Sequence, residues 1–132
     1  MIETIYIEKK IKNQPRTKSI LKKFKKSRFI EIDKYAEIFN KRNQNFRIQK
    51  ANPNLILAHK NDGFVLRAPE GFGIGSSKNF YFSHMYNCIY DCRYCFLQGM
   101  FSSANYVIFV NFEDFDASIK NVIDQNLSLI HI

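Results

Sequence analysis

No apolar run in the sequence approaches the roughly twenty residues that a helix needs to cross a bilayer, so a membrane-spanning helix is excluded. The opening MIETIYIEKK lacks the charged, then apolar, then small-residue order of a secretory leader, and the chain reads as cytoplasmic. Cysteine is scarce: three residues, an odd number, all lying between positions 88 and 95. That count and a reducing compartment argue against structural disulfides, which leaves metal binding as the leading use of the thiols. Internal repeats are absent as well. Acidic residues are sparse in the first half, where residues 1 to 60 hold 16 Lys and Arg against 5 Asp and Glu. Residues 61 to 132 hold 4 against 7, so the net charge of +8 comes from the amino-terminal part.

What is present is enough for one domain with a core: 132 residues, of which 45% are apolar. The run KSILKKFKKSR gathers Lys18, Lys22, Lys23, Lys25, Lys26 and Arg28. Such a run is either an electrostatic footprint for a polyanion or a solvated lysine face of a helix, and charge alone does not separate the two.

The β-branched and aromatic IETIYIE predicts a strand, closed by Pro15. Thr17 is placed to cap a short helix in which Ile20, Leu21 and Phe24 share a face, and RFIEI predicts the next strand, giving a β-α-β opening. Residues 33 to 53 predict a partly helical connection. NLILAH and GFVLR predict two strands joined by a hairpin turn at Asn61-Asp62-Gly63, since an Asp-Gly pair accepts positive φ. The Gly, Pro and Ser-rich APEGFGIGSS marks a connector, and its glycines lack the partners of a phosphate loop. Beyond it, NFYFSHMY predicts an aromatic strand with Phe80, Tyr81 and Phe82 buried, NYVIFVN a strand buried on both faces, and EDFDASIKNVIDQ a helix. The boundaries follow: a basic α/β region over 1–67, a connector over 68–78, and a third segment over 79–132.

The cysteines are spaced Cys88-x3-Cys92-x2-Cys95, at the carboxyl end of the aromatic strand, where α/β folds assemble ligand sites. A structural zinc site wants four ligands, and no second cysteine pair exists. His84 is a conceivable fourth, yet it lies roughly 13 Å from Cys88 along an extended strand at about 3.3 Å per residue. Three thiolates suit a [4Fe-4S] cluster with one iron left open. Zinc and unligated core thiols remain the other readings. Asp91 and Arg93 are either neighbours that tune a cluster or ordinary loop charges. His59 reads as an ordinary polar or core residue.

CIYDCRYCFLQG, followed by NYVIFVNFEDF, resembles the radical S-adenosylmethionine (SAM) signature and, more narrowly, the spore photoproduct lyase family. The specific part covers Cys88 to Gln98 and Val107 to Asp114, and the IYIE strand fits the same family's amino-terminal region. The resemblance implies an α/β fold: a small amino-terminal α/β region, then the first strands of a partial (βα)6 radical SAM barrel, cut short. It implies that Cys88, Cys92 and Cys95 hold a [4Fe-4S] cluster as its metal ligands and that Tyr94 is a catalytic and cofactor-binding residue beside the SAM adenine. It further implies reductive cleavage of SAM to a 5'-deoxyadenosyl radical, repair of ultraviolet-induced thymine lesions in DNA, and an electron donor such as a flavodoxin or ferredoxin. Lys22, Lys23, Lys25 and Lys26 would then hold the DNA backbone while the lesion is turned out.

The chain departs from the repair enzymes at Phe96, where they carry a second tyrosine that relays a hydrogen atom. Their hydrogen-donating cysteine would fall beyond Ile132. The terminal LSLIHI follows DQN without periodic logic and resembles adapter read-through, so the expectation is a fragment with exposed sheet edges and poor solubility. Two alternatives stand beside lesion repair: a radical SAM enzyme of this family acting on another substrate, and a metal-stapled nucleic-acid-binding module without catalysis.

Overall fold

The computed structural model describes residues 2–71, 75, 78–90, 92, 94 and 100–126. It divides into two compact units, one of residues 1–59 and 85–110, the other of 60–84 and 111–132. Among the described residues no helix is long and apolar enough to cross a membrane.

The first unit is built on β1 (Thr4–Glu8), α1 (Pro15–Lys23), β2 (Arg28–Ile32), the short helices α2 (Ala36–Phe39) and α3 (Phe46–Ala51), and β3 (Leu55–Ala58). The β-α-β opening expected from the sequence is present: β1 and β2 pair in parallel, with Thr4 opposite Arg28 and Glu8 opposite Ile32. Pro15 begins α1 rather than closing the strand, because the first turn of a helix has no use for the missing N–H. Gln14, not Thr17, occupies the cap position, and Thr17 is wholly buried with its hydroxyl unpartnered.

One sheet carries this unit, in the order β2-β1-β3-β7-β6, where β6 is Met85–Tyr86 and β7 is Tyr106–Phe109. The strands β2, β1, β3 and β7 are parallel, and β6 runs antiparallel to β7. The expected hairpin between NLILAH and GFVLR is not formed. Instead, β3 lies between β1 and β7, and all four of its residues are buried. A continuous apolar run suits a strand covered on both faces, and that demand outweighs the local turn chemistry at Asp62-Gly63.

Strand alternation assigns the two faces. Ile5, Ile7, Leu55, Leu57 and Val110 join Ile11 in one buried cluster, against which Ile20, Leu21 and Phe24 from the α1 segment pack. On the other face Tyr35, Phe39, Tyr86, Phe101 and Phe109 form a ring cluster, with Tyr35 edge-on to Phe109 at 5.4 Å and Tyr86 edge-on to Phe109 at 5.1 Å. Edge-to-face packing places the positive rim of one ring on the negative face of the next.

The second unit pairs β4 (Leu66–Arg67) antiparallel with β5 (Phe80–Tyr81) and adds α4 (Phe112–Asn126). The single aromatic strand expected over 79–86 is therefore broken, its first part pairing with β4 and its last part with β7. Phe80, Tyr81 and Phe82 are exposed rather than buried, since a two-stranded ribbon offers little cover to its side chains. Phe115 of α4 is buried edge-on to Phe64 at 5.2 Å, and the Asn111 side chain both accepts from the Lys60 N–H (2.9 Å) and donates to its carbonyl (2.8 Å).

Candidate functional site

Cys88 follows β6 after a single residue, Asn87. The chain turns sharply there: Asn87 has φ 61°, in the left-handed region that Asn tolerates better than most side chains. Its side-chain amide donates to the carbonyls of Ser103 (2.7 Å) and Asn105 (2.8 Å), so the start of the cysteine loop is tied to the segment that re-enters the sheet as β7. Asn105 is buried, and its Oδ1 accepts from the Asn54 N–H at the start of β3. Gln49 of α3 accepts from the Ala104 N–H at 3.0 Å. The loop thus leaves a rigid neck.

Cys88 and Cys92 are both exposed, and Tyr94 is 99% exposed. Ile89, Tyr90 and Met100 also face solvent. Cys95, like Asp91, Arg93, Phe96 and Gln98, lies outside the described residues. Among the described residues no group of three or more His, Cys, Asp and Glu is placed to hold a metal ion. As a donor set, two exposed thiols four positions apart with a third three positions later in sequence fit the thiolate chemistry of an iron-sulfur cluster. His84 sits in the second unit with its ring edge-on to Phe112 at 5.7 Å, an aromatic packing role.

The direction of β6 changes where this loop lies. Because β6 is antiparallel to β7, with Tyr86 opposite Val107, the carboxyl end of β6 meets the amino ends of the parallel strands and not their carboxyl ends. The carboxyl ends are instead tied together by Glu8, a buried carboxylate that accepts from the N–H groups of Tyr35 (2.9 Å) and His59 (3.2 Å).

The lysine run shares the amino edge with the cysteine loop. Lys22 and Lys23 end α1, Lys25 and Lys26 lie in the turn that follows, and Arg28 begins β2; all five are exposed. Lys26, Ser27 and Arg28, with Ile2, Glu3 and Thr4, line an open depression of about 410 Å³. The Ser27 hydroxyl donates to the Ile2 carbonyl (2.6 Å) and the Arg28 N–H to the Glu3 carbonyl (2.8 Å), which fixes its floor. Four strand spacings at roughly 4.8 Å separate β2 from β6, about 19 Å across the sheet. Two other cations of this unit are paired: Lys12 with Glu31, and Lys9 with Asp33 at 3.1 Å, whose hydrogen bond and negative charge raise the Lys9 pKa.

The cysteines and the lysines stand out in the sequence. Asn87 does not, although an Asn at the end of a strand is itself a signal for a left-handed turn.

No protein-family profile matches the chain, and no curated protein does. Among solved structures it is similar to spore photoproduct lyase, in a cysteine-to-serine variant (TM-score 0.68, 16% identity) and a tyrosine-to-phenylalanine variant (TM-score 0.70, 17% identity). Both likenesses cover 95% of this chain and 36% of the other. The chain therefore shares its fold with part of that lyase and spans little more than a third of its length.

Proposed function

We propose that this chain carries the cluster-binding part of a radical SAM iron-sulfur enzyme of the spore photoproduct lyase type, acting on ultraviolet-induced thymine lesions in DNA. The observation that carries the reading is the Cys88-x3-Cys92-x2-Cys95 spacing on a loop leaving the tied end of β6, within a fold similar to that lyase. A [4Fe-4S] cluster with SAM bound would supply one-electron cleavage of the sulfonium to a 5'-deoxyadenosyl radical.

The chain's own residues have three tasks in this reading. Cys88, Cys92 and Cys95 would hold the cluster through their thiolates. Tyr94 would be the residue beside the SAM adenine, and its exposure leaves its ring available for that contact. Lys22, Lys23, Lys25 and Lys26 neutralise backbone phosphates on the same sheet edge as the cysteine loop, which a substrate spanning that edge requires. A flavodoxin or ferredoxin would deliver the electron.

Phe96 favours a second reading on one point: a phenyl ring has no hydroxyl hydrogen to relay, so a family member with a different substrate fits that position better. The test is anaerobic reconstitution with iron and sulfide, then reduction with SAM present, with and without thymine-lesion DNA. Lesion repair predicts 5'-deoxyadenosine formation that rises with lesion DNA. Cleavage indifferent to lesion DNA supports the other substrate, and a colourless, zinc-binding protein without SAM cleavage sinks the enzyme reading.

A further inference from the structure

We propose that Asn87 is the positioning residue that sets where Cys88 leaves β6. For its purpose the inference rests on the iron-sulfur reading, but its geometry stands alone. Among the described residues only Asn43 and Asn87 have positive φ without being glycine. Asn87 also uses its amide twice, on the carbonyls of Ser103 and Asn105, and it sits one residue before the first thiol.

The acceptors on this neck are themselves immobilised. Ser103 and Asn105 are buried. The Ser103 hydroxyl donates to Gln49 Oε1 (3.3 Å) and accepts from the Asn105 N–H (3.3 Å); Gln49 Oε1 also takes the Ala104 N–H, and Asn105 Oδ1 takes the Asn54 N–H. The segment 103–105 is therefore held by α3 and by the start of β3, and Asn87 hangs from it as from a fixed rail. With its side chain fixed at two points and its backbone left-handed, Asn87 gives Cys88 one direction of departure. A cluster demands this, because three thiolates must meet three irons without searching through loop conformations.

Two variants separate backbone from clamp. Asn87→Gly keeps the left-handed turn and removes both hydrogen bonds. Asn87→Asp keeps the shape and tolerates the turn, but turns an acceptor toward two carbonyls. Without these two neutral hydrogen bonds, amide exchange at Ala104 and Asn105 should rise roughly tenfold in both variants. After reconstitution, both should hold less iron than the parent, and the electron paramagnetic resonance spectrum of the reduced cluster should broaden or shift.

Unchanged exchange overturns the clamp. Faster exchange with parental iron content and spectrum overturns the positioning role. If the parent itself takes up no iron, the proposed function fails separately, and the inference is read in the metal-free chain from alkylation of Cys88 relative to Cys92: a changed ratio in the variants supports it, and an unchanged ratio overturns it.

Discussion

The carboxylate of buried Glu8, the last residue of β1, accepts a hydrogen bond from the N–H of His59 just past β3, at 3.2 Å. Its other oxygen takes the Tyr35 N–H at 2.9 Å, so one side chain closes three chain segments at the carboxyl edge of the sheet. Glu8→Ala strands two N–H groups, each costing about 1–3 kcal/mol if it finds no other partner. Urea unfolding should show destabilisation by about 2–6 kcal/mol on that basis. Glu8→Gln, which keeps one acceptor, should cost about half as much.

Leu57 is wholly buried between Ile7 and Ile108 on adjacent strands. Leu57→Ala should destabilise by about 2–5 kcal/mol, the range for emptying a packed core position. A change below about 1 kcal/mol in the same unfolding experiment would mean that the site collapses freely or that β3 is not central.

Strand β2 is an edge with Phe29 46% exposed and Ile30 36% exposed. Bare edges with apolar side chains pair with other chains. Light scattering should show association that grows with concentration, and Ile30→Lys should reduce it. A monodisperse parent at high concentration would contradict this.

The lysines of the α1–β2 turn are tested by salt. Charge reversal at Lys22, Lys23, Lys25 and Lys26 should weaken DNA binding across sequences. It should also flatten the dependence of log K on log salt by about one unit for each phosphate that is no longer neutralised. An unchanged slope would return the run to an ordinary solvated face that complements the negative end of α1.

Much of this was legible in the sequence. Ile5 and Ile7, the lysine-backed face of α1, the RFIEI strand and the helix from Phe112 all show in local pattern, because each pattern is satisfied within its own element. Pairing was not legible. The neighbours of β3 depend on which sheet positions are buried on both sides, and the antiparallel course of β6 depends on its pairing with β7, some twenty residues away. For the site, the spacing of the thiols could be read directly, but not that their loop opens at the amino edge of the sheet, nor that Asn87 ties its neck.

The central claim is most directly tested by the electron paramagnetic resonance spectrum of the anaerobically reconstituted, reduced chain, recorded with and without SAM. The account predicts a [4Fe-4S] signal that changes when SAM is added and disappears in Cys88→Ala, Cys92→Ala and Cys95→Ala. A protein that binds zinc in place of iron, or a cluster signal indifferent to SAM, would contradict it.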